Sequence, residues 1–114
     1  MDGKIISFLH LNMKIYNITF IVENSVENDF LDWLKNEHIQ KLQETNCFGK
    51  ARLTKICAQQ DPNSKNYSLQ LEEKDNLLAT YLKDFAPKLK HEIMIKFANR
   101  VLFFETELEH LHDF

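Results

Sequence analysis

From residue 14 to residue 22 apolar and other positions alternate with period two. Tyr16, Ile18, Phe20 and Val22 share one side; Ile15, Asn17, Thr19 and Ile21 share the other. That spacing predicts a strand with one fully apolar face and one mixed face. Glu23-Asn24-Ser25 breaks the alternation. Beyond it, Phe30, Leu31, Leu34, His38 and Leu42 recur at helical spacing, with Trp33 at the edge of the stripe, which predicts a helix to Glu44 or Thr45. Ser25 or Asn28 is expected to cap its start, where Glu27 and Asp29 suit the positive end of the helix dipole. Asn46 is placed to end it in the left-handed conformation.

Residues 48–60 predict a second strand, bulged near Gly49, and residues 61–65 (Asp-Pro-Asn-Ser-Lys) a turn. Residues 66–72 predict a third strand, with Tyr67, Leu69 and Leu71 against Ser68 and Gln70. A second helical region is expected from Lys74, with Leu77, Leu78, Tyr81, Leu82 and Phe85 inward. Pro87 interrupts it and starts a new segment carrying Leu89, Ile93 and Phe97. Residues 100–108 predict a last strand, with Val101 and Phe103 on one face and Leu102, Phe104 and Leu108 on the other.

The order β-α-β-β-α-β predicts an α+β, ferredoxin-like fold: a four-stranded antiparallel sheet with both helices on one face. An uncovered face that meets water should be polar. Ile15, Ile21, Leu102, Phe104 and Leu108 make this one apolar, so a homodimer joined through the sheet, of the dimeric α/β-barrel kind, is expected. One domain is expected over residues 13–108, with an N-terminal extension (1–12) and a loose tail (109–114). The run 1–12 lacks the basic start and small-residue cleavage site of a signal peptide, and translation is expected to begin at Met13.

Composition narrows the function. With 114 residues, 44% apolar content and two glycines, the chain is long and apolar enough for a single core. A net charge of −3 with interspersed Lys and Glu lacks the basic patch a nucleic-acid binder needs. No apolar run approaches the ~18 residues of a membrane helix. Cys47 and Cys57 have neither redox nor zinc spacing and read as free thiols in the cytoplasm. His110-x-His112 with Asp113 is too sparse for a metal site, and no phosphate loop or nucleophile elbow is present. No cofactor is expected.

Several segments resemble a family. They are Lys14-Ile15-Tyr16-Asn17-Ile18-Thr19, Trp33-Leu34-Lys35 with His38-Ile39, Thr45-Asn46-Cys47-Phe48 with Ala51-Arg52, Tyr67-Ser68-Leu69-Gln70, and Ala86-Pro87-Lys88-Leu89. Together they are similar to a group of short bacterial proteins known as a domain of unknown function, akin to dimeric α/β-barrel proteins. The resemblance spans about residues 13–108 and departs at Asn46, where members often carry Gly. It implies the ferredoxin-like fold and pairing, and no activity.

Candidate chemistry centres on His38, which faces the sheet between Leu34 and Leu42. An imidazole in an apolar cleft has a lowered pKa and can serve as acid or base. Trp33, Tyr16, Tyr67 and Arg52 are the candidate lining of a ligand pocket; the alternative for each is packing, or for Arg52 and Arg100 ion pairs with Glu105 or Glu107. The expected function is therefore a non-enzymatic homodimer binding a small apolar ligand between helices and sheet. The rival is a cofactor-independent enzyme of the dimeric α/β-barrel kind that uses His38 as acid/base.

Overall fold

The structure, a computed structural model, describes residues 12–58 and 61–114. The expectations for the N-terminal extension lie outside the described residues but for Asn12. The strands are β1 (Lys14–Glu23), β2 (Phe48–Ile56), β3 (Ser64–Glu73) and β4 (Val101–Glu109). The helices are α1 (Glu27–Trp33), α2 (Ile39–Glu44), α3 (Leu78–Asp84) and α4 (Ala86–Phe97). The sheet order is β2-β3-β1-β4, with every neighbouring pair antiparallel, which is the expected ferredoxin-like topology.

β1 sits inside the sheet and sends Tyr16, Ile18, Phe20 and Val22 into the core, as its alternation dictates. Leu69 and Leu71 of β3 stand beside them, and Phe30, Leu34, Leu42, Leu78, Leu89, Ile93 and Phe97 cover them from the helices. Among the described residues, no helix covers the reverse face. The β2–β3 register slips between Phe48 and Ala51, the bulge expected near Gly49.

α1 and α2 form one continuous rod interrupted by a π turn, Leu34–His38, in which the Ile39 N–H reaches the Leu34 carbonyl. Uniform helical spacing does not foresee that turn. It brings Trp33 from the edge of the stripe into the core and leaves Leu31 half-buried. Asn46 adopts φ 60°, the left-handed stop expected of it.

Four local expectations are corrected. Neither Ser25 nor Asn28 caps α1; a short 3-10 turn, Asn24–Val26, leads into it, and the Ser25 hydroxyl donates instead to Glu23. β2 stops at Ile56, short of residue 60. β3 starts earlier, at Ser64, because the Asp61 side chain accepts from the Asn63 N–H and closes the turn sooner. α3 begins at Leu78, not Lys74, because Asp75 and Asn76 are left-handed (φ 53° and 59°) and the Glu73 carboxylate receives the Leu78 N–H. Pro87 opens α4 as expected, after a break at Phe85.

Candidate functional site

His38 is buried in the rod formed by α1 and α2, and Trp33 covers it: the rings stack at 4.7 Å with 24° between planes. Phe30 and Phe97 also pack against the indole, with ring centroids 6.2 and 5.4 Å away. Desolvation pushes the His38 pKa down to about 4, opposed by the charge of Glu92 and aided by that of Lys41. The ring is therefore neutral near pH 7, and its Nδ1 has no hydrogen-bond partner among the described residues. His38 lines none of four surface clefts, although Trp33, Asn36 and Glu37 beside it line one of them and Lys41 another.

The other predicted lining residues stand apart from His38. Tyr16 is buried against Phe48 and Tyr81, and its hydroxyl donates to Glu105 on β4. Lys90 of α4 holds the other oxygen of that carboxylate at 2.9 Å. Burial, and then the charge of Glu107, push the Glu105 pKa up. Tyr67 donates to Glu27 at the start of α1; burial, that hydrogen bond and that charge push its pKa up to about 12. Arg52 pairs in register with Gln70, one residue on from the inward-facing Ala51 and Leu71, so it lies on the uncovered face of the sheet, away from His38. The expected pairing of Arg52 or Arg100 with Glu105 or Glu107 is replaced by Lys90–Glu105 and Lys14–Glu107. Only Trp33 and His38 of the predicted set are brought together.

Trp33 also forms part of the wall of an open cleft of about 430 Å³ between α1 and the end of α4. Phe97 lies beside it, and Asp29, Asp32, Lys96 and Arg100 form the rim. Sequence reasoning missed this cleft, as it missed Glu105 and Glu27 as partners of the tyrosines. Their strand and helix spacing gave no sign of the long-range pairing.

The β2-β3-β1-β4 sheet with helices on one side defines a ferredoxin-like protein. Solved structures carry the same fold at low identity. A dimeric ferredoxin-like protein from an uncultured marine organism aligns with TM-score 0.61 and 13% identity, over 90% of this chain and 99% of that one. An ethyl tert-butyl ether d (EthD) family protein from Bacillus halodurans gives 0.61 and 14%, over 87% and 100%. A dimeric ferredoxin-like protein of unknown function from Thermobifida fusca gives 0.55 and 10%, over 87% and 92%. At such identities the likeness speaks for the fold alone. In sequence, residues 13–111 match the domain of unknown function DUF4286, and the chain belongs to that family. No curated protein matches it in sequence. Among the described residues, no helix is long and apolar enough to cross a membrane.

Proposed function

We propose that this chain works as a homodimer joined sheet to sheet, a cytoplasmic binding scaffold and not a catalyst, built on one domain over residues 13–108. The observation that carries this reading is the uncovered sheet face. Leu102 and Phe104 each keep 54% of their surface exposed and Leu108 keeps 38%, beside Ile15 and Ile21 of β1. Contiguous apolar patches of this kind are usually covered by a partner. At ~4.8 Å per strand and ~3.3 Å per residue, a four-stranded face measures roughly 19 by 30 Å. Pairing two such faces covers roughly 1,200 Å², the lower end of stable interfaces. The two dimeric structural relatives accord with it. Cys47 and Cys57 are free thiols, in keeping with a reducing compartment.

A catalytic His38 gains less support, because its ring is shut behind Trp33 and lines none of the four clefts. A small ligand finds better room in the cleft beside Trp33 and Phe97. Light scattering tests the central reading. The parent should give a mass near twice 13.6 kDa, and Leu102→Glu with Phe104→Glu should halve it. A monomeric parent at tens of micromolar overturns it.

A further inference from the structure

The uncovered face is not uniform, and its gradient dictates how a second copy can sit on it. The strand registers arrange it in four rows: Leu108–Ile15–Glu72, Thr106–Asn17–Gln70–Arg52, Phe104–Thr19–Ser68–Thr54 and Leu102–Ile21–Asn66–Ile56. Read down the strands instead, β4 contributes three large apolar side chains and one threonine. β3 contributes only polar ones, and β1 stands between with isoleucines at its ends. Within the polar part, Ser68 Oγ donates to Asn17 Oδ1 at 2.5 Å, and Asn17 Nδ2 donates to Thr19 Oγ1 at 3.2 Å.

From this arrangement we infer that the two-fold axis of the homodimer runs across the strands, between the Asn17 and Thr19 rows, so that each strand lies over its own copy. The inference rests on the sheet-to-sheet reading above and specifies its geometry. A closed dimer uses the same patch twice. Two axes in the plane between the sheets cover the whole face, which the area of a stable interface needs.

An axis along the strands sets β4 over the partner's β2 and β1 over the partner's β3. Leu102 then meets Ile56, but Ile15 meets Glu72, Ile21 meets Asn66 and Phe104 meets Thr54, so most of the apolar residues cover polar groups that lose water without gaining partners. An axis across the strands sets Leu108 against Leu102, Ile15 against Ile21, Gln70 against Ser68, Asn17 against Thr19 and Arg52 against Thr54. Leu102, Leu108, Ile15 and Ile21 thus meet apolar partners and the polar middle of β1, β3 and β2 meets its like, while Phe104 lies over Thr106. The modest twist between aligned sheets keeps these pairs nearest one another around the axis.

The test uses the unaltered sequence. A mixed sample, half of it carbon-13 methyl-labelled, is examined for contacts between subunits by isotope-filtered NOE spectroscopy, with light scattering on the same sample. Methyl contacts of Leu102 with Leu108, and of Ile15 with Ile21, between subunits are expected. Intersubunit contacts of Phe104 with Thr54 instead overturn the inferred axis and leave the sheet-to-sheet dimer standing. A dimer with no contact between sheet faces, or a monomer, overturns both.

Discussion

The indole of Trp33 lies flat on the imidazole of His38, with centroids 4.7 Å apart, although five positions separate them. In a regular α-helix five residues rotate the second side chain about 140° away from the first. The π turn Leu34–His38 absorbs one residue and swings His38 back beneath Trp33. Removing one exposed residue from that turn should restore a regular helix with the same two rings one turn apart. A variant lacking Glu37 is therefore expected to fold with a stability within about 1 kcal/mol of the parent. Urea unfolding followed by Trp33 fluorescence reads this; a loss of about 3 kcal/mol or more would refute it.

The same burial makes His38 an acid-sensitive point. Its folded pKa is about 4 against 6.5 for the free side chain. Between those values the unfolded chain binds the additional proton, so stability rises with pH across that window. The fold has this contribution in full above about pH 6.5 and loses up to about 3 kcal/mol of it as pH falls to about 4. His38→Phe keeps an aromatic partner for Trp33 and removes the titration. Comparing the two proteins in urea at about pH 7.5 and about pH 4.5 cancels the carboxylates they share. The variant should gain on the parent in acid; parallel behaviour would contradict the assignment.

Tyr16, Ile18, Phe20 and Val22 show why the fold was legible in the sequence. Strict alternation admits one face toward a core, and the pairing of β1 with both β3 and β4 follows that face. Leu102, Phe104 and Leu108 likewise betrayed an apolar reverse face. The site was less legible. Helical spacing assumes the same rotation at every residue, so it put Trp33 at the edge and could not register the extra residue of the π turn. Arg52 was grouped with His38, although the bulge between Phe48 and Ala51 fixes which β2 residues point inward and leaves Arg52 on the far side. Glu105 bonds a tyrosine 89 positions away, and alternation contains no information about such partners.

Ala98 holds φ 51° and ψ −137°, close to a region that only glycine occupies freely. Strain of this kind costs about 1–3 kcal/mol, partly offset in a glycine variant by its looser unfolded chain. Ala98→Gly should stabilise the protein by about 1 kcal/mol, and Ala98→Val should destabilise it. Asn46 is the internal control: at φ 60° its side chain tolerates the left-handed cap, so Asn46→Gly should change stability by less than about 1 kcal/mol. Thermal unfolding of the three variants checks the order.

Tyr16 and Glu105 join the core to the edge strand β4, where the Tyr16 hydroxyl and the Lys90 ammonium hold the two carboxylate oxygens. Burial raises the Glu105 pKa above its ordinary value, with Glu107 adding repulsion. The folded state thus holds that proton more tightly than the unfolded one, and the associated stability fades as pH rises through the raised pKa. At neutral pH the partly buried charge depends on its two donors. Tyr16→Phe should cost about 1–2 kcal/mol there, and less in acid, where the carboxyl is protonated. Glu105→Leu removes the charge together with the need for the donor, so the two substitutions should not add. A double-mutant cycle at neutral pH should give a coupling of about 1 kcal/mol, and additivity within about 0.3 kcal/mol would show that the hydroxyl and the carboxylate act independently.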